Sequence, residues 1–318
     1  MRAVSPVAPP LRRLATMALR SRAVNDAVRR IAALRGRSLA LVYHRVVPDG
    51  SAPRAVVPSL SEALFRRQVE ALGELGEIVP LAEFAGEHDR QRQVRFALTF
   101  DDDYDTHAER VLPVLGGLGV QATFFLSGRS LHGLGPYWFE VLESLIHEHG
   151  VACMAGRLGV SAGTPTELAI ACERDPRRQH LLERAAEQPA GHLRRDQIQE
   201  LAAATMTVGF HTLHHRALTA LDQDAQGQAL TEGRQELATA AGQPVHLFAY
   251  PHGSSDRRVA SRVQEAGYTG AWTGLPNAMR PGDDQFLLGR WEPGPLEIDD
   301  FLVKVAVRLH RRLPGAGA

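Results

Sequence analysis

Two short stretches carry the residues whose types and spacing could do chemistry. Asp101, Asp102 and Asp103 are consecutive carboxylates, and about a hundred residues further on His211 and His215 stand four apart. Adjacent acids repel one another unless a cation or hydrogen bonds hold them. Imidazoles four apart share one face if the chain turns helical there, and neutral imidazoles suit a borderline divalent ion such as zinc. Each signal is weak alone, because an acidic pair after a strand is commonly a solvated turn and a lone histidine is commonly structural. Joined, two imidazoles and one carboxylate make a three-ligand site with a position left open for water, which is the catalytic type of zinc site. A water there, its pKa lowered toward about 7, attacks a carbonyl near neutral pH, and a spare carboxylate beside it can take the proton.

The elements around these residues fit that reading. Arg95 to Phe100 is a mostly apolar, β-favouring run, so the acids sit at the C-terminal end of a buried strand, where binding groups collect in parallel α/β sheets. Met206 to Phe210 is a second such run and delivers the histidines to the same end. Successive residues at a strand end point in different directions, so neighbouring acids there can take different tasks. Ser38 to His44, Ile78 to Leu81, Val120 to Leu126, Val245 to Tyr250 and Tyr268 to Thr273 are further strand candidates. A last strand-like piece, Phe286 to Trp291, precedes a helix from Asp299 to about Leu313. Between strands lie helical patterns, among them Ser61 to Gly76 and His107 to Leu115, so the order predicts right-handed βαβ units on a parallel sheet.

Ser127 to about Ala203 is mostly helical, contains Pro136-Tyr137-Trp138-Phe139, and is expected to be an insertion over one end of the sheet. Leu11 to Leu34 reads as one or two basic amphipathic helices, which pack on the domain's flank or lie on an anionic membrane surface. The predicted organisation is a basic N-terminal segment over 1–37, a catalytic domain over 38–313 with the insertion at about 128–203, and a loose tail at 314–318.

With 318 residues, 44% hydrophobic and 23% charged, the chain has the composition of a soluble globular protein. Lys+Arg and Asp+Glu both number 36, so no overall charge draws it to nucleic acid, and none is expected as a partner. Cys153 and Cys172 are too few for a disulfide framework or a thiolate zinc site. There is no apolar run long enough to cross a bilayer, and arginines interrupt any signal-peptide core, so a cytoplasmic or membrane-peripheral location is expected.

Thr99-Phe100-Asp101-Asp102 followed by His211-Thr212-Leu213-His214-His215 resembles the polysaccharide deacetylase family, the carbohydrate esterase family 4 group with the NodB homology domain. The resemblance runs from about Leu39 to about Leu313 and includes Tyr43-His44-Arg45-Val46, Ala122-Thr123-Phe124-Phe125 and Tyr250-Pro251-His252-Gly253. It implies a distorted (β/α) barrel and hydrolysis of N-acetyl or O-acetyl groups on a sugar or polysaccharide precursor. It also implies Asp102, His211 and His215 as ligands of a divalent metal, zinc first, and Asp101 as the base toward the metal's water. The His252 amide would steady the developing oxyanion, with Tyr250, Pro251 and Trp291 toward the substrate.

The departures are as informative as the matches. Asp103 stands where the family usually has glycine, and is expected to be solvated. Ala249 occupies the position of the arginine that orients the base, and Arg290 is the candidate to replace it from another direction. The histidine that protonates the leaving amine has no match by motif; His252 is the nearest candidate, with His44 and His214 behind it, and His310 reads as solvated. The resulting expectation is a metal-dependent deacetylase. Its rivals are a deformylase or other C–N amide hydrolase on the same fold, and a non-catalytic, metal-containing carbohydrate-binding protein.

Overall fold

Strand β5 (Arg95–Asp101) is buried along its whole length, because it lies in the middle of a parallel sheet rather than at its rim. The computed structural model describes residues 22–34, 36–51, 56–84, 93–186, 191–280 and 282–310. Its strands are β1 (Ser38–Tyr43), β4 (Glu77–Ile78), β5, β6 (Thr123–Leu126), β7 (Thr207–Phe210), β8 (Leu247–Ala249), β9 (Gly270–Trp272) and β10 (Arg290–Trp291). They run in the order β10-β1-β5-β6-β7-β8-β9, with β4 added beside β5. Every paired strand in this sheet is parallel. Trp272 at the end of β9 bridges Leu288, and β10 pairs with β1, so the sheet bends round almost to closure. The result is the distorted (β/α) barrel expected. A small side pair, β2 (Arg45–Val47) and β3 (Ser59–Ser61), sits on the loop after β1.

Alternation along the strands separates two cores. Leu39, Leu41, Phe96, Leu98 and Phe100 point outward into the main core beneath the helices, whereas Ala40, Ala97, Phe125, Ala249 and Trp272 fill the barrel. Small residues, Ala40 and Ala97, line the inner face of β1 and β5. Counting on by twos from Ala97 reaches Thr99 and then Asp101, which is why that carboxylate faces the barrel axis.

Helix α1 (Arg22–Ala33) lies against the C-terminal helix α12 (Ile298–His310) with Val24, Ala27 and Ile31 buried in the main core. Its apolar face is thus covered by the fold, while the Leu11 to Met17 part of the predicted amphipathic segment and the tail at 314–318 lie outside the described residues. Among the described residues no helix is long and apolar enough to cross a membrane. Helix α2 (Glu62–Leu75), N-capped by Ser61, packs Phe65, Val69 and Leu72 on the outer face of the sheet. Helix α3 (Leu112–Leu118) ends in a left-handed Gly119 and leads to β6.

Between β6 and β7 come α4 (Trp138–His149), α5 (Val151–Leu158), α6 (Pro165–Glu173), α7 (Pro176–Arg184) and α8 (Arg195–Ala203). The first four have their own core around Tyr137, Phe139, Leu142, Leu168, Cys172 and Leu182. Helix α8 instead packs Ile198 and Leu201 in the main core, as an ordinary barrel helix does. The separately packed part of this stretch therefore ends before α8. Helices α9 (Gln223–Thr231) and α10 (Arg234–Ala241) follow β7, and α11 (Arg257–Glu265), capped by Asp256, follows β8.

Candidate active site

The end of β5 turns the two acids apart. Asp101 keeps the extended direction into the barrel and meets Arg290 from β10, whose guanidinium donates from Nη1 to Oδ1 at 2.5 Å and from Nη2 to Oδ2 at 2.7 Å. Arg290 also donates to Thr99 Oγ1 at 3.2 Å, one step back on the same inner face. Both partners are buried. Burial alone would push the Asp101 carboxyl up, but the Arg290 charge and hydrogen bonds outweigh it and hold the group down at about 2. Ala249, at the end of β8, offers no such group, and Arg290 reaches Asp101 from β10 instead.

Asp102 has a left-handed backbone, φ 68°, which swings its side chain toward β7. Its Oδ1 lies 3.4 Å from His215 Nε2 and 3.9 Å from His211 Nε2, and the two Nε2 atoms are 3.1 Å apart. His211 Nδ1 donates to the Ala249 carbonyl at 2.9 Å, fixing the tautomer that leaves Nε2 as a lone-pair donor. The segment is not helical: His215 reaches its neighbour through a turn with Thr212 at φ 61° and His215 at φ 50°, so the shared face comes from the turn.

These groups fit a divalent cation. Among the described residues Asp102 Oδ1 is buried without a hydrogen-bond partner, and the donor atoms that Asp102, His211 and His215 offer all lie within 4.8 Å of one another. Burial, with Asp101, Glu140 and Asp103 adding like charge, pushes the Asp102 carboxyl up to about 7 despite His44. Burial pushes His211 down to about 4 and His215 well below its ordinary range, so both rings are neutral near pH 7. A buried carboxylate that resists ionising beside two neutral imidazoles is the environment a bound cation would relieve.

The cluster opens on a cavity of about 410 Å³ whose walls include Trp138, Phe139, Ile170 and Glu173 from the inserted helices. His44, just after β1, also lines the cavity, with Nδ1 2.9 Å from Glu292 Oε1. Burial opposes its charge, yet Glu292, helped by Asp102 and Asp101, raises His44 to about 9. His252 also lines the cavity, but its Nδ1 lies 3.2 Å from Glu173 Oε1 and its Nε2 donates to the His215 carbonyl at 3.2 Å. Burial outweighs Glu173 and keeps its pKa below the usual histidine range. Gly253, at φ 63°, passes so close to Gly274 that an added Cβ would stand 2.5 Å from the Gly274 backbone, which lets these two loops meet at the cavity's edge.

Other predicted residues fall elsewhere. Tyr250 points outward into the main core and donates from its hydroxyl to the Phe286 carbonyl at 2.8 Å. Trp291 likewise turns outward to stack on Phe301, and Pro251 is buried and does not line the cavity. Alternation explains the first two, since Ala249 and Arg290 take the inward positions. Asp103 corrects a second expectation: it is buried, not solvated, and accepts from the Ser127, Gly128 and Arg129 amides at 2.8, 3.2 and 2.8 Å. It ties the β5 end to the loop after β6. His214 faces Glu232 at 3.5 Å away from the cavity, and His310 bonds its own helix at the Ala306 carbonyl. Glu292 and Glu173, which address the two cavity histidines, had no spacing signal, because they are 248 and 79 residues from their partners.

The C-terminal strand ends of this parallel barrel gather Asp101, Asp102, Arg290, His211 and His215 around one cavity. The polysaccharide deacetylase family model matches residues 88–271, and the chain belongs to that family. It is a hydrolase of carbon–nitrogen bonds, and as a family member a deacetylase directed at polysaccharide. None of the curated proteins matches the sequence. Among solved structures it is similar to the Streptococcus pyogenes deacetylase PplD in complex with acetate, at TM-score 0.58 and 15% identity over 86% of this chain and 99% of that one. IcaB from Ammonifex degensii superposes at TM-score 0.54 and 19% identity over 86% of this chain and 97% of that one. A de-N-acetylase from Aggregatibacter actinomycetemcomitans does so at 0.55 and 14%, over 80% and 94%. At these identities the three structures support the barrel fold alone.

Proposed function

We propose that the chain hydrolyses acetamido groups on an amino sugar of a polysaccharide or its precursor, with a divalent cation, zinc as first candidate, held by Asp102, His211 and His215. When bound, the cation supplies a Lewis acid that polarises the scissile carbonyl and acidifies a water. The remaining work falls to the chain's own residues.

Asp101 is the base. Arg290 keeps it ionised and fixes its plane, while each carboxylate oxygen retains a further lone pair for the proton of the attacking water. A carboxylate held so low is a weak acceptor, so it needs a water already made acidic, which is why it sits beside the ligand cluster. The carbonyl carbon gains the water oxygen, the C–N bond breaks, and the nitrogen leaves as an amine once protonated. His44 is the better proton donor of the two cavity histidines. It is charged near neutrality and oriented through Nδ1 by Glu292, which leaves Nε2 for the substrate, whereas both His252 ring nitrogens face protein partners. The His252 amide, in the turn Pro251–Gly253, remains the proposed donor to the oxyanion.

The observation that carries this reading is the charged, doubly held Asp101 beside the three ligands. A site that only binds metal and sugar needs the ligands and has no use for a spare carboxylate locked by a buried arginine. Asp101→Asn should slow release of acid from acetylated amino sugars by about 10²–10⁴-fold while leaving zinc binding intact. A pure binding protein would show no such release before or after the change, and identifying the acid as acetate or formate separates deacetylation from deformylation.

A further inference from the structure

His211 is oriented by a hydrogen bond from its Nδ1, but the Nδ1 of His215 is buried and has no hydrogen-bond partner among the described residues. Metal-binding histidines ordinarily fix their ring by donating the second N–H to a carboxylate, carbonyl or water. The ring of His215 is surrounded instead by other rings. Tyr137 and Phe139 each present themselves at 5.3 Å, tilted 65° and 66°, and His252 at 4.5 Å and 70°. Edge-to-face contacts at these separations are directional as well as apolar.

The aromatic pair is itself rigidly held. Tyr137 and Phe139 stack at 4.9 Å and 10°, the Tyr137 hydroxyl donates to Ser127 Oγ at 2.8 Å, and Arg129 lies 4.5 Å over the Tyr137 ring. The Tyr137 amide donates to Glu140 Oε2 at 2.8 Å, locking the start of α4. His215 itself sits at φ 50°, so its own backbone is not at a low-energy helix or strand position that would fix the side chain.

We infer that Phe139, backed by Tyr137, is a positioning residue for His215, and that the inserted helices thereby form part of the metal centre. This inference rests on the metal site proposed above. Aromatic edges replace the missing hydrogen bond, so the affinity of the site for a cation is coupled to the docking of α4. Such coupling is reciprocal: a cation should steady α4 as much as α4 steadies the ligand.

The test is zinc titration of the full chain by calorimetry or chelator competition, with wild type, Phe139→Ala, Phe139→Leu and Leu182→Ala. Leu182 is buried in the same inserted core but belongs to α7 and does not line the cavity. Phe139→Ala should weaken zinc binding about 10–100-fold, the usual cost of losing an outer-shell partner, and Phe139→Leu should fall between it and wild type. Leu182→Ala should lower the melting temperature without changing the zinc affinity. In wild type, zinc should slow amide hydrogen exchange across Trp138–His149. Unchanged affinity in both Phe139 variants, or an equal loss in Leu182→Ala, overturns the positioning role while the metal site stands. Failure of the wild type to bind zinc overturns both. If Phe139→Ala does not fold, Phe139→Leu and the exchange measurement decide.

Discussion

Replacing Arg290 by methionine keeps the length and removes the guanidinium, leaving Asp101 buried and unpaired. Breaking a buried ion pair on one side costs about 3–5 kcal/mol, because the surviving charge is neither hydrated nor compensated. The structure supports a value in that range. Asp101 is held at about 2 against an ordinary 3.8, which corresponds to about 2–3 kcal/mol favouring its charged form even after burial has worked against it. Both oxygens lose a donor, and Thr99 loses one as well. In urea denaturation the variant should be destabilised by about 3–5 kcal/mol, a fall of roughly 6–20 °C in melting temperature at 2–4 °C per kcal/mol. The double variant Arg290→Met with Asp101→Asn isolates the pair, and a coupling of about 2–3 kcal/mol is expected, at the upper end for contacting residues. Effects additive to within about 0.5 kcal/mol would refute the claim that Arg290 acts on Asp101.

Asp101→Asn should lower turnover by about 10²–10⁴-fold, the range for loss of a general base, with zinc stoichiometry unchanged by metal analysis. His44 has a folded pKa of about 9, above its ordinary 6.5, so its pairing with Glu292 stabilises the protein fully below about pH 6.5 and ceases to do so as pH rises through about 9. The stability gap between wild type and Glu292→Gln should therefore be present at pH 6 and gone by about pH 10, and a His44 that titrates below 6.5 by NMR contradicts this. Asp103→Asn puts an amide where a carboxylate accepts three N–H groups, and should cost about 1–3 kcal/mol by denaturation; no loss would mean that the β6 loop is held otherwise.

The centre of the site was legible because its chemistry is concentrated at strand ends in contiguous runs. Asp101, Asp102, His211 and His215 announced themselves by type, and Arg290 could be named because Ala249 left a vacancy. What sequence could not set was the sign of alternation in strands of two or three residues. Tyr250 and Trp291 were expected toward the substrate, yet β8 and β10 place Ala249 and Arg290 inward and turn those rings out. The histidine pair meets through left-handed backbone at Thr212 and His215, which residue types that avoid positive φ do not signal. Asp103 looked solvated because nothing local reveals three amides arriving from a loop 24 to 26 residues away. The helical character of the inserted stretch was readable from its pattern; that its first turn presses on His215 is a tertiary fact.

The central claim is that Asp102, His211 and His215 hold one cation. The most direct measurement is zinc content after equilibrium dialysis of wild type, Asp102→Ala and His211→Ala, each checked for folding by circular dichroism. One zinc per wild-type chain, with none retained by either folded variant, is the predicted result. Folded variants that keep wild-type zinc content, or a wild-type chain that takes up none, would contradict it.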